Sequence, residues 1–371
     1  MTQHRSTEIP WFYPKVGIEE EKEVLEVLRS NYINDGQVTE ALETQISEFL
    51  EVDYCVALTS GTVALSLSLM ALGIGHGDEV IVPDFTFIAT ANAVRMTGAE
   101  VRLVDVEPLR FTIDPDRVEK AINPKTKGVI AVDVNGRSPD YDSLERLCKN
   151  YGIALVCDSA EAFGSKYKQR YLGTFGDAGC FSLSANKTMT SGQGGLFVTH
   201  RKDLYEKVKI LKDQGRTHRG SGGDDLHPFL GYNFKYTNLQ AAIAKAQLKK
   251  VPSRLEHFKN RDLWYQKRLQ DASNITFPQT FEGEVLQWTD ILCENRSQIE
   301  EILKSCGAGY RNFWFPLHRQ APYKQPDSGF ENSLQISAKG LWLPSSFDLL
   351  EVDVESVCTF IKQGLVLAKN T

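Results

Sequence analysis

The chain has 371 residues with 42 Lys and Arg against 48 Asp and Glu, a formal charge of −6, and 42% of its residues are apolar. A chain of this size buries roughly three quarters of its unfolded surface, enough for one large domain and a smaller one, which excludes a disordered or fibrous protein. With no block of basic residues and no apolar run near the roughly 20 residues of a membrane span, neither nucleic acid nor a membrane is an expected partner.

The first eight residues carry charges with no apolar segment behind them, so no secretory signal is read and the cytoplasm is the expected location. From about residue 55 to residue 200, short β-branched runs alternate with helical patterns: Tyr54–Leu58, Val80–Val82, Val101–Val106, Gly128–Val134, Ala154–Cys157, Gly179–Leu183 and Leu196–Thr199. Such alternation predicts a mostly parallel sheet flanked by helices. Residues 139–151 read as a crossover helix, with Leu144, Leu147 and Tyr151 on one face and Gly152 as its stop. Gly73-Ile-Gly75-His-Gly77 follows a helix and precedes a strand, the reverse of a dinucleotide fingerprint, and reads as a terminator and turn. A strongly periodic helix is predicted from Asn238 to Lys250, followed by Pro252. Then come a helix over Leu255–Leu269, a strand over Val285–Cys293 and a helix over Gln298–Cys306. These predict a large α/β domain over 1–250, whose first 25 or so residues pack on the other domain, and a small α+β domain over 251–371. Seven cysteines form an odd count without a C-x-x-C pair; buried thiols are expected, not disulfides or a metal site.

Three constellations could carry chemistry. Around Leu58-Thr-Ser60-Gly61-Thr62, small residues at a strand-to-helix turn would form a cup for an anion, most naturally phosphate; the plainer reading is that Ser60 or Thr62 only caps the helix. Asp158 ends an apolar strand, where a carboxylate can hold a heterocyclic nitrogen protonated or simply cap the next helix. Lys187 lies between an apolar strand and a glycine-rich stretch, so it is either an amine placed to form a Schiff base or a surface lysine. Phosphate cup, strand-end acid and embedded lysine on one sheet are the three anchors of pyridoxal 5′-phosphate: phosphate, ring nitrogen and aldehyde.

The run Ser60-Gly-Thr62, Gly77-Asp-Glu-Val-Ile-Val-Pro83, Thr86-Phe87-Ile-Ala-Thr90, Asp158-Ser-Ala-Glu161-Ala, Gly176-Asp177, Phe181-Ser182, Asn186-Lys187-Thr188 and Gly231-Tyr-Asn233 resembles the DegT-type nucleotide-sugar aminotransferases over nearly the whole chain. Asn186-Lys-Thr-Met-Thr190, the stretch from Gly231 to Asn238, and Phe315-Pro-Leu-His318 look most like the perosamine-type branch, which aminates a GDP-linked 4-keto-6-deoxymannose with glutamate. The resemblance implies a type I pyridoxal-phosphate transferase fold. It implies that Lys187 carries the cofactor and moves the proton, Asp158 meets the ring nitrogen, Phe87 stacks on the ring and Glu161 lies at its polar edge. Gly61, Thr62 and Ser182 would hold the phosphate, and Asn233 would reach the cofactor of a second subunit, making the active unit a homodimer. The implied reaction runs from L-glutamate, through the pyridoxamine form of the cofactor, to a keto group on a nucleotide-linked deoxysugar. Arg311, His318 and Asn186 are the expected substrate-side residues. Arg311, Trp314 and His318 offer cations for a diphosphate and an aromatic face for a base, although a histidine can equally be structural in a domain joint.

Two departures bear on substrate choice. Glu161 stands where many members have glutamine, and Val132-Asp133-Val-Asn135-Gly136 replaces the usual Val-His-Leu-Tyr-Gly; Asp133 either faces the ligand or is a turn residue. The loop from Gly215 to Asp225 reads as a mobile flap or a passive surface loop. A UDP- or dTDP-linked 3- or 4-keto sugar is the alternative substrate. The further alternatives are a sugar dehydratase, which in this fold has a histidine at the position of Lys187, and a non-catalytic sensor that only binds cofactor or sugar.

Overall fold

The computed structural model describes residues 8–217, 226–272 and 274–367; most of the glycine-rich loop, residues 218–225, lies outside the described residues. Two helices come first, α1 (Ile18–Ser30) and α2 (Gln37–Leu50). The large sheet and its crossovers follow: β1 (Tyr54–Leu58), α3 (Gly61–Ala71), β2 (Glu79–Pro83), α4 (Ala89–Met96), β3 (Glu100–Val104), α5 (Pro115–Ala121), β4 (Thr126–Val132), α6 (Tyr141–Tyr151) and β5 (Ala154–Asp158). A short ribbon, β6 (Lys166–Tyr167) and β7 (Arg170–Tyr171), leads to β8 (Ala178–Ser182), β9 (Gly195–Thr199) and α7 (Lys202–Lys212).

Among the described residues the large sheet runs β1-β9-β8-β5-β4-β2-β3, with β9 antiparallel to both neighbours and the other pairs parallel. Its central strands read as continuous apolar runs because helices cover both faces. Helix α3 is apolar nearly all round and correspondingly buried; it packs on β8 and β9 from one face. Helix α6 instead has one apolar face, an Asp140 cap that accepts from the Ser143 N–H at 3.2 Å, and Gly152 in the left-handed region at φ 65°. The expected strands thus recur within about two residues, and every parallel strand delivers its carboxyl end to the same edge.

Helix α8 (Asn238–Leu248) is followed at once by α9 (Val251–Leu269), with Pro252 in the first turn of α9, where its missing N–H costs nothing. Beyond it, β10 (Ile275–Thr276), β11 (Asp290–Cys293), α10 (Arg296–Ser305), β12 (Arg311–Asn312), α11 (Glu331–Lys339), β13 (Gly340–Trp342) and α12 (Glu351–Leu367) build a four-stranded antiparallel sheet, order β10-β11-β13-β12, with its own core around Tyr265, Ile291, Val354 and Ile361.

The two parts interlock. Near the N-terminus, Ile9 exchanges backbone hydrogen bonds with Gly307 and Gly309, and the Ser345 N–H donates to the Trp11 carbonyl at 2.6 Å. Helix α1 behaves differently: it docks on α8, with the buried Glu20 carboxylate receiving Lys250 and Gln247. In return, Phe313 and Trp314 enter the core of the large domain against Phe111 and Phe85. The expected strand over Val285–Cys293 is a strand only from Asp290. Residues 285–289 are spent on the joint, where Arg261 donates to the carbonyls of Leu286 and Gln287.

Candidate active site

At the carboxyl edge of the large sheet lies a cavity of about 310 Å³. Its floor begins where β1 ends. Ser60 adopts an extended conformation and caps α3, its Oγ accepting from the Val63 N–H at 3.2 Å. The first N–H groups of α3 have no intrahelical partner, and its positive dipole end faces the cavity with Gly61 and Thr62 on the lining. Gly195 permits this: a Cβ there would sit 2.3 Å from the Ser60 carbonyl carbon, so only glycine lets β9 approach the turn. Ser182, at the end of β8, adds a hydroxyl 3.1 Å from that of Ser184.

Asp158 closes the opposite end of the floor. Its Oδ2 accepts from Thr90 Oγ1 at 2.7 Å, Thr90 in turn lies 2.9 Å from Thr86 Oγ1, and Oδ1 receives only the Ala160 N–H at 3.3 Å. Burial pushes the Asp158 carboxyl upward, opposed by the Thr90 hydroxyl and the Ala160 amide. A cation placed against Oδ1 would relieve that penalty. Lys187, on the loop after β8, places Nζ 3.1 Å from Glu161 Oε1 and 5.2 Å from the Trp288 ring centroid. Both side chains of this ion pair are about nine-tenths buried. Phe87 lines the cavity with its ring half exposed, leaving a face for stacking, and Asn186, Arg311 and Trp314 complete the rim.

Gly61, Thr62, Phe87, Asp158, Glu161, Ser182, Asn186, Lys187 and Arg311 therefore converge on one cavity. His318 does not, and here the expectation of a substrate contact is corrected. Its ring is fully buried. Its backbone N–H and Nδ1 each lie 2.7 Å from the Asp84 carboxylate, Nε2 is 3.2 Å from Asp327, and the ring stacks on Phe330 at 4.4 Å. With both nitrogens committed it is a bolt between the end of β2 and the returning chain. Asn233 also lies outside this cavity, exposed and bridged to Asp213.

Of the two departures, Glu161 pairs with Lys187 in the cavity, and the residues of the 132–136 stretch are tied into the structure. The Asp133 carboxyl is wholly buried and held by the hydroxyls of Tyr141 and Ser159; burial pushes it up to about 8. Asn135 is left-handed at φ 53°, aims its N–H at Glu161 Oε2 at 3.3 Å, and spans to the chain at Trp288 and Asp290. Thr90 and Trp288 are site residues that motif reading missed. Thr90 had a signal, since it closes the motif Thr86-Phe87-Ile-Ala-Thr90 and is a polar residue in the first turn of α4. Trp288 had none, because it reaches Lys187 from about 100 residues along the chain. Among the described residues no cluster suited to a metal ion is present, and no helix is long and apolar enough to cross a membrane.

Residues 14–362 match the model of the DegT/DnrJ/EryC1/StrS aminotransferase family. The chain belongs to this family. It is 32% identical to the GDP-perosamine synthase of Caulobacter vibrioides over 363 residues, covering 95% of this chain and 97% of that protein. It is 33% identical to that of Escherichia coli O157:H7 over 360 residues, covering 96% and 98%. A Streptococcus pneumoniae protein described as a sugar aminotransferase, solved in PLP and PMP forms, superposes with a TM-score of 0.90 at 27% identity, covering 96% of this chain and 98% of that one. The fold is that of the pyridoxal-phosphate-dependent aminotransferases, and the chain is a sugar aminotransferase. The family depends on pyridoxal 5′-phosphate, and the donor set here fits it: an N–H and hydroxyl cup for a phosphate, a buried carboxylate for a protonated ring nitrogen, and a lysine in the same cavity.

Proposed function

We propose that this enzyme transfers the amino group of L-glutamate to the keto group of a nucleotide-linked 4-keto-6-deoxysugar, with GDP-4-keto-6-deoxy-D-mannose as substrate and GDP-perosamine as product. The observation that carries the chemistry is the placement of Lys187 Nζ in the same cavity as Asp158 and the Ser60 cup. The sugar rests on the two GDP-perosamine synthases, each matched over nearly its whole length.

The bound cofactor supplies an electron-withdrawing ring that stabilises charge at carbon when the donor loses its α-proton. Asp158, kept from water and steadied by Thr90, supplies the negative charge that favours a protonated ring nitrogen. Lys187 Nζ takes and returns the proton, and Glu161 holds that amine in place during the exchange. The amide and hydroxyl groups at Gly61, Thr62 and Ser182 hold the phosphate, while Phe87 limits motion of the ring. Arg311 stacks on Trp11 and Trp342 at 5.2 and 5.7 Å and presents a cation to the donor carboxylate or the diphosphate, beside Asn186 and the Trp314 ring. The active unit is a homodimer, with Asn233 and the exposed Leu226, Phe229 and Leu230 on the face that meets the second subunit.

Incubation of the enzyme with glutamate and a panel of GDP-, UDP- and dTDP-linked keto sugars, read by mass, tests this. Amination of the GDP-linked 4-keto sugar alone is expected; turnover of a UDP- or dTDP-linked 3-keto sugar instead would overturn the substrate assignment.

A further inference from the structure

The segment that departs from the family pattern, Val132 to Gly136, and Arg137 after it are joined by buried polar contacts to residues 288–290 of the C-terminal domain. Asn135 is the centre of this joint. Its Nδ2 donates to the Trp288 carbonyl at 2.8 Å and to Asp290 at 3.0 Å, and its Oδ1 accepts the Trp288 N–H at 2.9 Å. Arg137 grips the same Asp290 with two hydrogen bonds of 2.6 and 2.7 Å. Gly136 must be glycine, since at φ 92° a Cβ would lie 2.1 Å from the Val285 carbonyl oxygen.

The product of these contacts is the position of one ring. Trp288 is 1% exposed and is backed by Trp11 and Trp342, each with its centroid 5.2 Å away, so it has no other place to go. Its indole N–H is buried with no acceptor among the described residues, a cost that a phenyl ring would avoid. What the indole offers is its large face, and that face meets Lys187 Nζ at 5.2 Å. On another side the same amine meets Glu161, whose second oxygen receives the Asn135 N–H. Asp158 and Arg311 face the shared cavity but neither is hydrogen-bonded to the amine.

We propose that Asn135 and Trp288 are positioning residues for the catalytic amine: Asn135 steers Glu161 with its backbone and Trp288 with its side chain, and the two together fix where Lys187 Nζ stands. This rests on the aminotransferase reading of the cavity. Trp288→Leu removes the face. Asn135→Gly keeps the left-handed backbone and the N–H to Glu161 while releasing the chain at Trp288, and it is the variant of choice if Trp288→Leu does not fold. A misplaced reacting group costs up to about 10²-fold, so kcat should fall roughly 10- to 100-fold in both variants with KM for the nucleotide sugar within about twofold. Visible circular dichroism of the bound cofactor, which reports how it is held, should change in both and return in Trp288→Phe, together with most of kcat. Wild-type kcat and an unaltered dichroic band in Asn135→Gly would overturn the proposal, as would a fall in thermal stability alone. Glutamate bleaching of the wild-type absorption band is the control: its absence would sink the transaminase reading, whereas bleaching at the wild-type rate in every variant would sink only the positioning role.

Discussion

On the sheet side of the cavity, Ser60, Asp158 and Ser182 each stand at the end of a strand whose neighbours are hydrogen-bonded into the same ladder. On the opposite side, Arg311 and Trp314 come from a two-residue strand and irregular chain, with Trp288 buried behind Lys187, and all three are held by aromatic stacking and a buried ion pair across the domain joint. The first wall is built by backbone geometry and carries the residues proposed above to hold the cofactor. The second is built by side chains and carries those proposed to meet the substrate. A scaffold made of ladder hydrogen bonds tolerates change in the residues it presents. A wall made of interdigitated rings transmits change to its neighbours.

Substitutions on the two walls should therefore differ in kind as well as size. Lys187→Ala should abolish turnover with the fold intact, read as loss of glutamate-dependent bleaching beside an unchanged circular dichroism spectrum in the far ultraviolet. Asp158→Asn should lower kcat by roughly 10²–10³-fold, the order seen when one preorganised electrostatic group is removed from a water-excluded site. On the other wall, Arg311→Gln should act on binding: a lost hydrogen bond to a charged group is worth about 1.5–3 kcal/mol, so KM for the nucleotide sugar should rise roughly 10- to 100-fold with a smaller change in kcat.

His318 separates the walls from the cavity they enclose. His318→Leu removes the donor at 2.7 Å from the buried Asp84, a carboxyl that burial already pushes upward. A cost of about 1–3 kcal/mol in the denaturant midpoint is expected, with turnover of the folded fraction unchanged. A specific loss of sugar affinity would show instead that the bolt shapes the site. The remaining effect concerns pH. Asp133, pushed up to about 8, retains its proton in the folded state where the unfolded chain, with an ordinary value near 4, has released it. Its contribution to stability therefore declines as pH rises from about 4 to about 8, and Asp133→Asn should flatten that decline in a pH series of melting temperatures.

Much of this molecule was legible before folding. The alternation of β-branched runs with amphipathic stretches located β1 to β5, β8 and β9, because a strand buried on both faces must be continuously apolar. That Ser60, Asp158 and Lys187 share one edge was legible, because strand ends in a parallel sheet, and the loops that leave them, lie on one side. The strand expected over Val285–Cys293 shows where such reading stops. Val285 to Thr289 carry strand-like residues, yet their backbone groups are met by Asn135, Arg261 and Ser345 across the joint in place of a ladder. His318 was expected at the substrate because the family resemblance implies it and because it offers a cation to a diphosphate, with a structural role as the alternative, but only the folded chain brings Asp84 to it from 234 residues away. The sequence by itself determined the layers, since these follow from local periodicity, and the aminotransferase chemistry, through residues that match a family's motifs. Which ring faces Lys187, and which histidine is a bolt and not a ligand, was decided only by tertiary packing, because those contacts join residues with no periodic relation along the chain.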